Sequence, residues 1–400
     1  MSIHIGILTG RTAYPNGMAA CQRIHLMARA MAEAGATVNV WVDGFDEYAE
    51  TRNLHTEGER DNIPYKFVLG RTRASRCKWR RVLDRFTLAW YSRRMLGVAA
   101  DNQLLDGLYF YTSKTSLDFE RAVVWDIARK KRFPIVVDLC EAPWTFKAKQ
   151  SFIEKNVSPL WGTDGVICIS KFLEDWVIRA SAKTCRDVQS LYVPILVDVN
   201  EIEPVDSAPT CMSVLFSGAP QYDLTIRFLL AAMEVVWAKY PNCSLVITGG
   251  TTEATLGPLA KGQGGMIRYA GYVDRRTLLQ ELSAASVLAI PLFDEFRSQA
   301  RFPTKLGEYL ATGRPVVTNK VGEVSNYLKD GESAWVLEPG NSDAFGKAIC
   351  QVLSNQSKAH EIGQNGRKVA EREFHYSIYG PKLIEFFTRL SSLIHAKDSK

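Results

Sequence analysis

The residues best placed to do chemistry lie between Arg301 and Val317, in the stretch RFPTKLGEYLATGRPVV. Pro303 stops whatever precedes it, and Thr304 is a fitting N-cap. Lys305–Thr312 then carries Leu306, Tyr309 and Leu310 at helical spacing. Gly313 stands where a helix C-terminus favours positive φ, and Pro315-Val316-Val317 enters a β-branched strand. The start of a helix beside a basic side chain, Lys305, can hold an anion, because its outward N–H groups and dipole attract negative charge. One turn further, the carboxylate of Glu308 can accept hydrogen bonds from a ribose diol. The pattern reads as half of a nucleotide-diphosphate site. The plainer alternative is an ordinary strand–helix–strand unit with a solvated glutamate.

The same segment resembles the donor-binding signature of family-4-like glycosyltransferases (glycosyl transferases group 1) of the GT-B fold. That signature runs Glu-x7-Glu, then a small residue, Gly and Pro-Val-Val. Glu308 matches its second Glu, and Ala311, Gly313 and Pro315-Val316-Val317 match the small residue, the Gly and the Pro-Val-Val. The first Glu falls at position 300, which is Ala300 here. Some relatives carry a Phe-Pro-x-Lys-Leu-x-Glu-Tyr version of this half, and Phe302–Tyr309 fits that version at every named position. The resemblance implies an α/β protein of two Rossmann-like domains facing across a cleft, with a C-terminal helix crossing back to the N-terminal domain. It implies transfer of a sugar from a nucleotide diphosphate sugar to an acceptor hydroxyl, with retention at the anomeric carbon. No metal and no further cofactor are required by that scheme.

The elements that must position these groups come in two series. Ile3–Leu8 reads as a buried first strand, Gly10–Gly17 as a loop rich in turn residues, and Ala19–Ala34 as a helix with Ile24, Met27, Ala28 and Met31 on one face. Gly35 ends that helix and Thr37–Val42 comes next as the second strand. The glycine-bearing loop before a helix carrying Arg23 resembles the first loop of GT-B enzymes, which makes Gly17 a donor-binding candidate. Asp106–Tyr111 reads as a strand. Tyr111 stands where relatives often place a histidine near the reaction centre. Ile135–Asp138 is another strand, with Asp138 and Glu141 at its C-terminal end, where ligands of open parallel sheets sit. Asp138, Glu141 and Tyr111 are the catalytic candidates, against the reading of each carboxylate as a cap or a surface charge.

Residues 1–200 read as the N-terminal, acceptor-binding domain, and 201–210, with the acidic, proline-bearing run EIEPVDSAP, as the linker. Residues 211–375 read as the nucleotide-sugar domain and 376–400 as the returning helix. In the second series Val214–Phe216 is the first strand and Gly218 its loop glycine. Relatives grip the diphosphate with an Arg and a Lys near this glycine, where Ala219, Tyr222 and Asp223 stand instead. Arg227 compensates only if its helix points it inward. Gly271, Tyr272 and Val273 form the loop that holds the nucleobase in the family. Arg297 and Arg301, in the loop Phe293–Arg301, join Thr304, Lys305 and Glu308 as donor-binding candidates, since a guanidinium fork matches phosphate oxygens. Val321–Leu328 and Ala334–Val336 are expected to complete the sheet.

Charge is concentrated in one place. Arg71–Arg94 holds nine Arg/Lys and one acid, interleaved with Trp79, Phe86, Trp90 and Tyr91. It fits a solvated surface helix, a helix docking on an anionic membrane, or a nucleic-acid contact. The membrane ranks above nucleic acid, because no nucleic-acid motif accompanies it.

Bulk properties exclude several classes. Four hundred residues, 46% hydrophobic and 23% charged, suit a soluble multidomain protein with ample core. No run approaches the roughly 18 apolar residues of a membrane span. Eight scattered cysteines without a C-x-x-C pair suit reduced thiols in a cytoplasm, with peripheral attachment at the membrane as an option. No histidine lies between His55 and His360, which excludes a mid-chain His base or a His-rich metal site. The partners expected are a nucleotide sugar and a sugar, lipid or other hydroxyl acceptor. Two other readings stay open: a non-catalytic GT-B binding module, and a nucleotide-sugar epimerase on the same fold.

Overall fold

The computed structural model describes residues 2–45, 53–112, 119–141, 162–184, 187–205, 209, 211–218, 223–249 and 266–396. The chain divides into two units, Met1–Leu196 with Tyr376–Lys400, and Val197–His375. The division falls before the acidic run EIEPVDSAP. Several residues of that run are tied into the second unit: Ile202 accepts a hydrogen bond from Arg367 at 2.8 Å, and the Val205 N–H reaches Thr312 O at 3.1 Å.

The first unit contains β1 (His4–Leu8), α1 (Ala19–Glu33), β2 (Thr37–Val42), β3 (Glu57–Arg60), β4 (Ile63–Phe67) and α2 (Lys78–Asp101). It continues with β5 (Gly107–Thr112), α3 (Phe119–Lys131), β6 (Ile135–Leu139), β7 (Gly165–Cys168), α4 (Lys171–Thr184) and β8 (Gln189–Tyr192). The sheet order is β3-β4-β2-β1-β5-β6-β7-β8, parallel except for the β3–β4 hairpin. Parallel strands covered on both faces have to be apolar throughout, and β6 (IVVDL) and β7 (GVIC) are buried at every residue. Leu8, Leu108, Phe110 and Val137 of the sheet pack against Leu96, Val124 and Trp125 of α2 and α3.

The second unit repeats the plan with β9 (Ser213–Ser217), α5 (Asp223–Lys239), β10 (Ser244–Thr248), β11 (Ile267–Gly271), α6 (Arg275–Ala284), β12 (Val287–Ile290), α7 (Phe296–Ala300) and α8 (Thr304–Ala311). Then come β13 (Val316–Asn319), α9 (Val324–Tyr327), β14 (Trp335–Leu337), α10 (Ser342–Ser354) and α11 (Gln356–Val369). Its strands are all parallel in the order β11-β10-β9-β12-β13-β14, so the winding reverses at β9. Ligands of such sheets bind outside the carboxyl ends of the strands at that reversal. Val214, Ile247, Val287 and Val317 form a core with Met233 and Val236 of α5 and Phe345 and Ile349 of α10.

The chain then returns to the first unit as α12 (Gly380–Ala396). Gly107 and Gly165 leave room on their strands for this helix. An added Cβ would stand 2.6 Å from Phe387 Cδ1 at the first and 2.7 Å from Leu390 Cδ1 at the second. Tyr376 donates to Glu33 Oε1 at 2.5 Å and lies under the Arg29 guanidinium at 4.4 Å, which fastens the approach to α1.

Two local expectations are corrected. Val321–Leu328 is not a strand: Gly322 turns at φ +56° and a short helix comes after it. The buried residues Val321, Val324 and Leu328 are spaced three and four apart, a helical period, and β14 alone supplies the last strand. Phe293–Arg301, expected to be a loop, contains the single-turn helix α7.

Candidate functional site

The site of the second unit begins with three glycines at adjacent strand ends. The Gly218 N–H, just after β9, donates to Thr248 O at 2.8 Å, and the Gly249 N–H, just after β10, donates to Gly271 O at 2.6 Å. Gly249 has φ +112°, and a Cβ there would overlap the carbonyl oxygen of Gly218. At Gly249 a side chain is excluded by contact between backbones, and at Gly218 by the Phe216 ring. The result is bare peptide where a ligand can approach closely. Gly271 has φ +64°. The chain then passes the partly exposed Tyr272 and Val273 to Asp274, which caps α6 by accepting the Thr277 N–H at 2.7 Å.

The helix α8 meets this edge through two side chains one turn apart. Lys305 Nζ donates to the Ser217 carbonyl, and the Ser217 N–H donates to the Tyr309 hydroxyl at 2.8 Å. Residues i and i+4 share a helix face, so a Lys–Tyr pair at this spacing grips both backbone groups of the last β9 residue. The helix start is thereby fixed beside Gly218 at the reversal point. Thr304 does not cap the helix. Pro303 occupies the N-cap position and no side chain accepts there, because a proline carries no acceptor. Burial lowers the Lys305 pKa to about 8, opposed by the nearby Glu308 carboxylate. Burial also pushes the Tyr309 phenol upward.

Glu308 is ion-paired with Arg275 at the start of α6. The same guanidinium reaches Glu201 through Nε at 3.0 Å and Nη2 at 2.8 Å. Burial works against the charge of Arg275, but the Glu308 and Glu201 carboxylates outweigh it and hold the group protonated. Sequence reasoning misses Arg275. It lies four residues after Gly271, and nothing in its spacing marks it as the partner of a helix 33 residues on. Arg297 on α7 and Arg301 just past its end are both partly exposed. Arg227 points away: it is exposed and pairs with Asp223 at 2.9 Å. Ala300 is fully buried and Phe302 stacks on Tyr327 at 5.5 Å, so this half of the motif is anchored as core. Ala219 and Tyr222 lie outside the described residues.

In the first unit the structure separates the three catalytic candidates. Asp138 is fully buried and paired with Arg23, whose Nε and Nη2 reach its two oxygens at 2.7 and 3.0 Å. It also accepts the Tyr109 hydroxyl. Arg23 goes on to Pro194 O at 2.7 Å and Val193 O at 3.1 Å. Asp138 is therefore the anion of a buried cross-link and offers no free carboxylate. Tyr111 is buried as well, and burial raises its pKa well above the ordinary phenol value, which removes it as a proton acceptor. Glu141, beyond the end of β6, is partly exposed and is the one of the three at the surface.

Gly17 holds its position through packing on α1. A Cβ would stand 2.6 Å from Cys21 Cβ and 3.0 Å from Ala13 O. The loop is braced from beneath by a relay that runs from buried to exposed, in which Tyr14 Oη lies 2.9 Å from His25 Nδ1 and His25 Nε2 lies 2.7 Å from Oδ2 of the exposed Asp61. Burial lowers the His25 pKa to about 4, aided by Arg60 and opposed by Asp61. Among the described residues no three His, Cys, Asp or Glu side chains converge as a metal site, and no helix is long and apolar enough to cross a membrane.

Residues 212–355 match the family model described as glycosyl transferases group 1. A phosphatidyl-myo-inositol mannosyltransferase of Mycolicibacterium smegmatis is 23% identical over 201 residues, 47% of this chain and 50% of the relative. The chain spans about half the length of the curated relatives it matches. Among solved structures, a sucrose-phosphate synthase from Thermosynechococcus elongatus superposes with a TM-score of 0.73 at 18% identity, covering 98% of this chain and 100% of that one. Anabaena HepE in complex with UDP and glucose gives 0.69 at 16% identity, covering 96% and 99%. The fold is GT-B.

Proposed function

We propose that this chain, of GT-B fold and matching the glycosyl transferases group 1 over residues 212–355, is a glycosyltransferase. It moves a sugar from a nucleoside diphosphate sugar to an acceptor hydroxyl. The observation that carries this reading is the grip of Lys305 and Tyr309 on Ser217, which sets a helix start and a cation beside bare glycine backbone at the sheet reversal. The diphosphate lies over Gly218 and the start of α8, with Arg297 and Arg301 adding positive charge. The ribose is held at Glu308, and the base along Gly271, Tyr272 and Val273. In the reaction the acceptor oxygen bonds to the anomeric carbon as the bond from that carbon to the diphosphate oxygen breaks. The leaving diphosphate takes the electron pair, and cations and N–H dipoles stabilise the charge that develops.

The acceptor proton passes to the departing phosphate oxygen, the route that goes with retention. Burial of Asp138 and Tyr111 favours it, since neither side chain is at the surface to take that proton. The seven described cysteines are all free thiols, which fits work in a reducing cytoplasm. The basic stretch Arg71–Arg94 fits peripheral attachment to an anionic membrane, where a lipid-borne acceptor would be met.

Calorimetry with UDP, GDP and ADP and their sugar conjugates tests the reading. One conjugate should bind selectively and be turned over, and Glu308→Ala should weaken it about tenfold, the size of a lost charged hydrogen bond. No binding by any of them refutes the transferase. The Arg275 ion pair, which already occupies Glu308, favours a second reading as a non-catalytic binding module. Binding without turnover would select it.

A further inference from the structure

The sheet of the first unit has a reversal of its own. From β1 the strands run outwards through β2 and β4 on one side and through β5, β6, β7 and β8 on the other, so the winding turns between β1 and β5. The loop Gly10–Gly17 leaves β1 at the carboxyl edge of this point, where open parallel sheets bind ligands. A Pro-Asn-Gly turn commonly closes on its own backbone. Here, among the described residues, no backbone–backbone hydrogen bond closes residues 13–17.

Side chains from residues 43–65 hold the loop instead. The buried Asp43, just past β2, accepts the Thr9 hydroxyl at 2.9 Å and the Arg11 N–H at 3.1 Å. Tyr14 is fully buried and meets Tyr65 of β4 edge-on, with 5.8 Å between ring centres. Pro15 O accepts Arg60 Nη1 at 2.7 Å, and Arg60 Nη2 donates to Gln22 Oε1 at 3.0 Å. Arg60 ends β3 at a two-residue hairpin turn, Asp61-Asn62, with φ +50° and +61°. Asn53, 3% exposed, takes both backbone groups of Asn16: its Oδ1 accepts the N–H at 2.9 Å and its Nδ2 donates to the carbonyl at 3.2 Å.

The group so presented is the side chain of Asn16. It is exposed, and its amide has no hydrogen-bond partner among the described residues. A backbone already fixed on both sides removes the ordering that a free turn would set against binding. A carboxamide offers an acceptor and a donor side by side, which matches two adjacent hydroxyls, each able to donate and to accept.

We propose that Asn16 contacts two adjacent hydroxyls of a sugar or cyclic polyol at the β1–β5 reversal, and that Asn53 and Arg60 are the positioning residues for this contact. The role of that polyol as acceptor rests on the transferase reading, but its binding does not.

The test offers methyl α-D-glucopyranoside, methyl α-D-mannopyranoside and myo-inositol to the full chain and reads binding by saturation-transfer NMR, with UDP affinity followed by calorimetry. At least one polyol should bind. Asn16→Ala should weaken it about tenfold, the size of lost neutral hydrogen bonds, with melting temperature and UDP affinity unchanged. Asn53→Ala and Arg60→Ala should weaken it as much without touching it, and Asn53→Ala should speed amide exchange at Asn16 but not in β1. Arg60→Lys, which keeps a donor for Pro15 O, should restore binding. No polyol binding, or equal binding by Asn16→Ala, overturns the contact whatever the protein does with nucleotides. Unchanged binding in Asn53→Ala and Arg60→Ala, or a loss in Arg60→Lys equal to that in Arg60→Ala, overturns the positioning. Polyol binding that follows the expected pattern in a protein that binds no nucleotide overturns the transferase and leaves this site standing.

Discussion

Raising the pH from 7 to 9 should cost the protein about tenfold in affinity for a nucleoside diphosphate, through the single side chain Lys305. Burial holds its pKa near 8 in the free protein, against 10.5 for an ordinary lysine. The ammonium fraction then falls from about 0.9 at pH 7 to about 0.1 at pH 9, whereas a lysine at its usual value stays almost fully charged. If the diphosphate binds the ammonium form, its apparent affinity tracks that fraction. Binding at pH 8.5 should also draw in about 0.8 proton per site, by the same ratio. Calorimetry of UDP in buffers of different ionisation heat measures both quantities at once, and Lys305→Arg, which stays charged throughout, should give a flat profile. The free protein should show the opposite trend. The folded pKa lies below the unfolded one, so the unfolded state binds more protons between pH 8 and 10.5, and stability rises with pH across that window. The full effect is worth about 3 kcal/mol. Lys305→Met should therefore melt higher than the parent at pH 7, less what the lost bond to Ser217 O contributes, while its stabilisation by UDP shrinks. A flat affinity from pH 7 to 9 with no proton uptake would remove Lys305 from the diphosphate.

Removing the Asp138 carboxylate by Asp138→Ala leaves the Arg23 guanidinium buried without its partner, and urea denaturation should show a loss of about 3–5 kcal/mol. A fully stable but inactive variant would instead restore Asp138 to the catalytic group. Gly249→Ala forces a Cβ into Gly218 O at φ +112°, so it should destabilise the second unit by about 2 kcal/mol and abolish nucleotide binding together. Unchanged nucleotide affinity would show that the glycine edge does not touch ligand. His25, held neutral with a pKa of about 4 against 6.5 unfolded, should drain stability as pH falls from 6.5 to 4, by about 3 kcal/mol at the lower end. In paired denaturant titrations at pH 7 and 4, His25→Gln should lose less over that interval than the parent, and an equal loss would assign the acid sensitivity elsewhere.

The parts of the fold that are legible in the sequence are those whose signal is carried within one element. Fully buried parallel strands cannot alternate, and Gly165–Cys168 reads as an unbroken apolar run, as does Ile135–Leu139 apart from Asp138. The helix Ala19–Glu33 shows its buried face and its terminating Gly35. The β3–β4 hairpin is not legible, because β3 is an edge strand whose residues EGER are largely exposed and show no apolar pattern. In α2, Val82, Phe86 and Trp90 have the spacing of a core face, yet all three are exposed. Only the actual rotation of the helix separates them from Leu88, Ala89 and Leu96, the residues that do face inward.

The candidate site divides along the same line. Lys305 and Tyr309 share a helix face by spacing alone, and Gly249, at φ +112° with Gly218 O in the place of a Cβ, has no room for another residue. What spacing cannot carry is the state of a charge, which is set by partners that the chain brings from far away. Asp138 has the position of a base at a strand end, but Arg23, 115 residues earlier, neutralises it. Glu308 sits one turn from Lys305 and by spacing is its natural counter-ion, but Arg275 takes the carboxylate and burial lowers the lysine. The arrangement leaves the helix start with a cation that is only weakly held protonated and an acid already compensated. On the proposed reading, a diphosphate finds Lys305 already mostly ammonium at pH 7 and draws in a proton only above about pH 8, and a ribose at Glu308 must share it with Arg275 or displace it. Both steps would make affinity for a diphosphate depend on Arg275 and on the burial of Lys305, neither of which the spacing of the motif carries.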